Sequence, residues 1–292
     1  MKIIKVAAMV VTMIIILFGL LTIGIPYIRY ANTSPASEAD ASHVKSVGHR
    51  GAAAHAPENT LAGFSAAMQL GVDFIEMDIH LTKDNHVVVL HDTNTKRTTG
   101  YDAEVNSLTL EEVQELDAGS WFGSAFTNER IPTLAESLAL IKGQCQVLIE
   151  IKWPKSSIYE QIVTETLKVI DQQDASSWVI LQSFESRYLQ EAHQKKPSIR
   201  LHQLLFGDAV GLPVYQDRAL RLGKFSPVAG VTSVNTYYLY LHEQMKEQYG
   251  VSELGVFTVN DEAAIAKSIA NGATYIISDK PELVRQYLDG LK

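Results

Sequence analysis

The stretch VGHRGAAAHAPENT, residues 47 to 60, sets His49, Arg50 and Glu58 among small and apolar neighbours, and similar charge recurs further along the chain. Glu76 and Asp78 lie within the apolar run VDFIEMDI, His91 and Asp92 close HVVVLHD, and Glu150 and Lys152 sit in QVLIEIK. Two residues apart in an extended strand, Glu76 and Asp78 point to the same face, as do Glu150 and Lys152. Three carboxylates converging on one mouth repel one another unless a positive charge joins them. A hard divalent cation with oxygen ligands is the simplest such charge. Gln182 in WVILQSF and Asn260 after LGVFTV add neutral polar groups at two further run ends. Any one of these carboxylates alone reads more readily as a helix cap or a surface charge; their co-occurrence at separate strand ends is the signal.

The elements that must position them are short apolar or β-branched runs alternating with longer helical patterns, the signature of βα units around a parallel sheet. Eight runs stand out, at 43–49, 72–79, 146–152, 178–184, 199–206, 228–234, 254–259 and 273–278, a number that suggests a closed barrel. TLAGFSAAMQLG, SSIYEQIVTETLKVIDQ and DEAAIAKSIANG read as amphipathic helices between them. HVVVLHDTNTKRTTG reads as an extra strand or hairpin arm, and the polar stretch after it, about residues 92 to 132, as an insertion after the second strand. In such barrels the C-terminal ends of the strands carry the active site, where the charged residues above gather. Glycines 48 and 51 let the chain turn around His49 and Arg50. Asn59 or Thr60 can cap the first helix, and capping alone accounts for Asn59. Glu58 is a candidate to reach the cation or to stand behind its ligands, as are Asn59 and Gln182. His55, His80, His86, His193, His202 and His242 read as histidines of helices, outward strand positions or loops, and His43 as part of a linker.

At 292 residues, with 46% hydrophobic and 20% charged side chains, the chain can bury a real core. A formal net charge of −8 argues against nucleic-acid binding through an overall field, so a phosphate-bearing ligand must be met by a local site. One cysteine, Cys145, allows neither an internal disulfide nor a zinc-cysteine cluster. Residues 6 to 28, VAAMVVTMIIILFGLLTIGIPYI, carry no charge and as a helix would reach about 35 Å, enough to cross a hydrocarbon core of about 30 Å. The run reads as an uncleaved transmembrane anchor rather than a signal peptide, since Pro26, Tyr27, Ile28 and Arg29 make no small-residue cleavage site. Lys2 and Lys5 before it, against Arg29 after it, place residues 1–5 in the cytoplasm and the domain from residue 44 outside, a single-pass arrangement at the cell membrane. Residues 29–43 read as a linker.

Taken in order, GHRG, PENT, EMDIHLTKDNHVVVLHD, EIK, QSF, TVN and SDKPELV resemble the glycerophosphodiester phosphodiesterase family from about residue 46 to the C-terminus. The resemblance implies a TIM (β/α)8 barrel with a small inserted subdomain after the second strand. It also implies metal-dependent hydrolysis of glycerophosphodiesters to sn-glycerol 3-phosphate and an alcohol. By the same resemblance Glu76, Asp78 and Glu150 match the ligands of one divalent cation, Mg²⁺, Ca²⁺ or Mn²⁺, His49 and His91 the catalytic pair, and Arg50 and Lys152 the phosphate pocket. Phe257, where the family often has Trp, and SDKP at 278–281, where TDRP is common, lie away from the matched ligands and bear on substrate fit more than on chemistry. The reacting centre is shared by soluble glycerophosphodiesters, lysophospholipids and polyglycerol-phosphate polymers. A metal-free phosphatidylinositol-type phospholipase would not need three converging carboxylates. A catalytically dead, membrane-tethered binding module would be expected to lack a histidine or a ligand, and none is missing.

Overall fold

The computed structural model describes residues 12–13, 19–33, 41–153, 160–208 and 214–291. Eight parallel strands close into a barrel: β1 (Lys45–Gly48), β2 (Phe74–Leu81), β4 (Gln146–Ile151), β5 (Val179–Ser183), β6 (Arg200–Leu205), β10 (Val231–Tyr237), β11 (Glu253–Phe257) and β12 (Tyr275–Ser278). Closure comes from β1, which pairs with β12 on one side and β2 on the other. A short strand, β3 (Val87–Val89), runs antiparallel along the end of β2, with Ile79 opposite Val89. All eight expected runs are barrel strands, because apolar residues on both faces of each strand leave it no solvent-facing side.

Inward-facing alternate residues form two layers. Phe74, Leu148, Ile180, Tyr275 and Ile277 pack with Val47 inside the barrel. Above them, two residues on along β2, β4 and β5, stand Glu76, Glu150 and Gln182, and Asp78 follows Glu76 at the rim. The same period thus fills the lower barrel with hydrocarbon and its mouth with charge. Outside, Ile75, Met77 and Ile79 of β2 and Ile149 and Ile151 of β4 pack against helices that include α2 (Leu61–Gln69), α5 (Leu134–Ile141), α6 (Ile162–Gln172) and α7 (Ser186–Lys195). Leu254, Val256 and Ile276 do the same with α9 (Glu262–Ala270) and α10 (Pro281–Gly290). Between β3 and α5, residues 92–132 carry two short helices, α3 (Lys96–Thr99) and α4 (Leu110–Gln114), over a small cluster of Val88, Leu90, Val105, Leu108, Val113 and Ile131.

Of the expected membrane span 6–28, residues 6–11 and 14–18 lie outside the described residues, and among those described no helix is long and apolar enough to cross a membrane. What is described is a π-helical stretch, Leu20–Gly24, leading into α1 (Ile25–Asn32). This helix continues through Tyr30, beyond the expected start of the linker, because it has protein to pack on: Pro26 is buried and the Tyr30 ring meets Tyr238 edge-on at 5.4 Å. Two expectations for histidines also change. His80 shares the inward parity of Glu76 and Asp78 and is buried, its Nε2 3.1 Å from the His91 carbonyl. His202 is fully buried inside the barrel, its ring 4.8 Å from that of Tyr275. Strand parity governs both: His80 is two residues beyond Asp78 on β2, and His202 alternates with Leu201 and Gln203 on β6.

Candidate active site

The turn after β1 brings the first group of polar atoms to the mouth. Gly51 takes φ +94°, and a Cβ on Gly48 would lie 2.1 Å from the Gly51 carbonyl oxygen, so both positions need glycine. Arg50 between them is itself left-handed at φ +51°, which turns its backbone N–H onto Glu76 Oε2 at 2.9 Å. Thr60, not Asn59, caps α2: its hydroxyl accepts from Gly63 N at 3.1 Å. Asn59, at φ +56°, is left free to bind Asp78.

Glu76, Asp78 and Glu150 each offer a carboxylate oxygen, all within 4.8 Å of one another and all buried. Each carboxylate has neighbours that fix it. Glu76 accepts from Gln182 Nε2 at 3.4 Å, and Gln182 Oε1 accepts from Asn235 at 2.9 Å. Asp78 is held by Asn59, by Lys152 Nζ at 2.9 Å and by Arg50 Nε at 3.5 Å; Glu150 lies 2.8 Å from the same Lys152 ammonium. The electrostatics follow. Burial and the nearby Asp78 and Glu150 charges push the Glu76 carboxyl well above the ordinary range. Burial pushes Glu150 up to about 7 against the pull of Lys152. Burial would raise Asp78 too, but the Lys152 and Arg50 charges beside it hold it far below its usual value. Two buried carboxylates that resist ionising beside one that is ionised are short of positive charge. An all-oxygen donor set with that deficit fits a hard divalent cation.

The two histidines stand on the rim of the same cavity, about 650 Å³ including its open mouth, which Arg50, Glu76, Glu150, Lys152 and Gln182 also line. Each has a carboxylate behind it. His49 Nδ1 lies 2.6 Å from Asp279 Oδ1, and Asp279 is fixed in turn by Asn260 Nδ2 at 2.6 Å. His91 Nδ1 lies 2.6 Å from Asp92 Oδ1, and Arg97 Nε holds the other oxygen of Asp92 at 2.6 Å. Burial, with help from Lys152 and Arg50, lowers the His91 imidazole below its ordinary value despite the pull of Asp78. One cavity wall is apolar and aromatic: Trp153, Phe184 and Phe257 meet edge-on in sequence, 5.1 Å and 6.0 Å between centroids, with Leu204 and Ile277 beside them.

All the residues singled out in the sequence thus meet here, with one changed part. Glu58 stands apart from the three carboxylates; it bridges Arg50 NH1 at 2.8 Å and Arg97 NH2 at 2.7 Å, which hold its carboxyl below the usual range against the effect of burial. Sequence reasoning missed Asp279 and Arg97. SDKP, expected to bear on substrate fit more than on chemistry, supplies Asp279 as the partner of His49; its place directly after the β12 run, at a rim position like the others, is the available signal. Arg97 lies in the insertion, where no strand period marks position.

A parallel eight-stranded barrel with this acidic cluster and histidine pair at its mouth defines a class of phosphoryl-ester hydrolase, and comparison with known proteins agrees. Residues 49–283 match the glycerophosphoryl diester phosphodiesterase family. The chain is 35% identical over 241 residues to the glycerophosphodiester phosphodiesterase of Caldanaerobacter subterraneus, covering 81% of this chain and 94% of that protein. It is 30% identical over 262 residues to one from Bacillus subtilis, covering 85% and 87%. Among solved structures, an Oleispira antarctica phosphodiesterase in complex with its product sn-glycerol-3-phosphate superposes with TM-score 0.70 at 26% identity, over 83% of this chain and 96% of that one. The chain belongs to the glycerophosphoryl diester phosphodiesterase family and is a phosphoric diester hydrolase.

Proposed function

We propose that the protein hydrolyses glycerophosphodiesters to sn-glycerol 3-phosphate and an alcohol, with His49 and His91 as the acid–base pair and one divalent cation held by Glu76, Asp78 and Glu150. The observation that carries this reading is the pairing of each histidine with its own aspartate on one cavity rim, around a buried carboxylate cluster. The product bound to the Oleispira relative supports the choice of substrate. When bound, a divalent cation such as Mg²⁺ or Ca²⁺ supplies positive charge for a non-bridging phosphate oxygen.

The chain's own residues account for the rest. A diester anion repels any oxygen nucleophile, and the Arg50 guanidinium and Lys152 ammonium offset the charge that grows on the phosphoryl oxygens as the bond forms. With Nδ1–H donated to a carboxylate, each imidazole keeps Nε2 for the cavity: one takes the proton of the attacking oxygen, the other gives a proton to the leaving alkoxide. Asp279 and Asp92 hold those tautomers and stabilise the imidazolium when it forms. The aromatic wall of Trp153, Phe184 and Phe257 offers a face to the substrate's carbon skeleton and sheds water from it.

Two further parts of the reading concern place. The uncharged run 6–28 anchors the chain in the membrane, and the lysines before it set the barrel on the extracytoplasmic side. The test uses the full chain in detergent with a panel of glycerophosphodiesters and products resolved by mass. Release of glycerol 3-phosphate, lost in EDTA and absent from His49→Ala and His91→Ala, is expected; release of a phosphorylated headgroup, or turnover untouched by EDTA, overturns it.

A further inference from the structure

His49 and His91 reach the cavity from unlike places in the fold. His49 directly follows β1, and its backbone N–H donates to the Ser278 carbonyl at 2.9 Å, so the ladder that closes the barrel holds it. His91 lies past the end of its own ladder. β3 and the residue after it are gripped on both sides: Val89 N donates to the Pro132 carbonyl at 2.8 Å and Leu90 N to the Asp78 carbonyl at 3.0 Å. One residue on, no backbone donor among the described residues meets the His91 carbonyl. A side chain does: His80 Nε2 lies 3.1 Å from that oxygen.

Strand geometry puts His80 there. It pairs with Val88 in the β2–β3 register, shares the inward parity of Asp78 two residues before it, and is fully buried. A carbonyl oxygen can only accept, so Nε2 carries the proton and the ring donates to the His91 backbone. His91 is then fixed at two points: His80 holds the backbone from which its side chain springs, and Asp92 orients the ring through Nδ1 at 2.6 Å. The second hold is not independent of the first. Asp92 is the next residue in the chain and opens the inserted segment, to which Arg97 ties it. Without the His80 bond, His91 and Asp92 can shift together with that segment, ring and carboxylate still paired, and carry Nε2 off its place over the cavity. The His49–Asp279 pair has no such weakness, since its two members directly follow β1 and β12, neighbours in the ladder. At a reacting centre a displacement of about 1 Å costs on the order of 10² in rate.

We propose that His80 is a positioning residue for the hydrolysis: its bond to the His91 carbonyl fixes where the His91 imidazole stands over the cavity. This rests on His91 being one of the acid–base pair. The other task open to the ring is to support Asp78, which shares its face of β2. The two tasks differ in what their loss costs. A displaced His91 lowers kcat and kcat/KM together, whereas a loosened Asp78 weakens the hold on the cation.

Methionine and glutamine are close to each other in length, but only glutamine can donate. With the full chain in detergent, Mn²⁺ present and glycerophosphoethanolamine as substrate, His80→Met should lose on the order of 10² in kcat while KM and Mn²⁺ affinity stay within about twofold of wild type. His80→Gln should recover most of that loss. Where His80→Met does not fold, His80→Asn, polar but too short to reach the carbonyl, carries the same expectation. Proton NMR separates a local shift from general loosening: of the downfield imidazole N–H signals, the one missing from His91→Ala should move in His80→Met, and the one missing from His49→Ala should stay. Equal kcat in the methionine and glutamine variants, or both signals moving together, overturns the proposal, and Mn²⁺ affinity falling in step with kcat assigns His80 to Asp78 instead. Wild-type turnover in His91→Ala overturns the acid–base reading of His91 itself.

Discussion

Asn59 and Asp78 exchange two hydrogen bonds: Asn59 Nδ2 donates to Asp78 Oδ2 at 2.8 Å, and Asp78 N donates to Asn59 Oδ1 at 3.2 Å. One amide thus fixes both the side chain and the backbone of a carboxylate that is only 1% exposed. Replacing Asn59 by Leu takes a charge-assisted bond from Asp78 Oδ2 and leaves the carboxylate's orientation to Lys152 and Arg50. Affinity for the divalent cation should drop 10- to 100-fold, the order expected when a ligand's supporting group is lost. Isothermal titration with Mn²⁺ measures this directly; an unchanged affinity would remove Asn59 from any role in holding Asp78.

The bond from Asp279 to His49 makes the second prediction. Asn in place of Asp279 keeps the shape but removes the charge that favours Nδ1–H, so in part of the population the ring carries its proton on Nε2 and offers the cavity no lone pair. Turnover should fall on the order of 10²-fold with metal affinity intact, and the pH–rate profile should shift with it. A metal-binding defect instead would show that Asp279 serves the cluster rather than the histidine.

Arg97 joins the inserted segment to the barrel through Glu58 and, within the segment, pairs with Asp92. Its side chain is 43% exposed, so solvent screens both pairs and their worth is modest. Arg97→Ala should therefore lower kcat by a few-fold to about tenfold, through a less firmly held Asp92 and His91, with little change in melting temperature. Rising salt should weaken wild type toward the variant. A loss of several orders of magnitude would mean that Arg97 itself touches substrate.

Metal removal separates chemistry from folding. The apolar layer of Phe74, Leu148, Ile180, Tyr275 and Ile277 lies beneath the carboxylates and does not depend on them. EDTA should abolish turnover and leave circular dichroism unchanged, and Mn²⁺ or Mg²⁺ should restore it. Glu150→Gln should need far more metal for the same rate, since it removes one charged ligand. Unfolding by EDTA would show that the cation is structural.

The barrel was legible because its signals are local and periodic: β2 reads as FIEMDIHL, apolar on one face and carrying Glu76 and Asp78 on the other. The converging carboxylates were legible for the same reason. What strand period does not encode is which long side chain crosses a loop. Glu58 follows Arg50 by eight residues and is a candidate either to reach the cation or to stand behind its ligands; in the fold it bridges Arg50 and Arg97, behind Arg50's contacts to Asp78 and Glu76. Asn59 read as a cap because Asn is a good one; the left-handed backbone at Asn59, which gives that task to Thr60, is invisible to composition.

His202 gives the last prediction. It is fully buried in the barrel, with Nδ1 3.3 Å from Asn235 Nδ2 and no hydrogen-bond partner for Nε2 among the described residues. The charged groups near it are Glu253 on β11, 4.0 Å away, and Arg200 on its own strand; Tyr275 on β12 lies against its ring. Burial lowers its imidazole from 6.5 to about 3, with Arg200 adding to the effect. In the unfolded chain the same ring takes a proton as pH falls below 6.5, whereas the folded one does not until about 3. The unfolded state therefore binds more protons in that window, and the stability this neutral histidine contributes above pH 6.5 is lost as the solution becomes more acid. Over the two units from pH 6.5 to 4.5 the loss is roughly 2 to 3 kcal/mol. His202→Asn keeps a polar group beside Asn235 and cannot titrate. Its urea-unfolding free energy should be lower than wild type at pH 7, from the smaller side chain, but should fall less steeply toward pH 4.5. Parallel curves for the two proteins would mean that His202 is already protonated in the folded barrel, paired with Glu253.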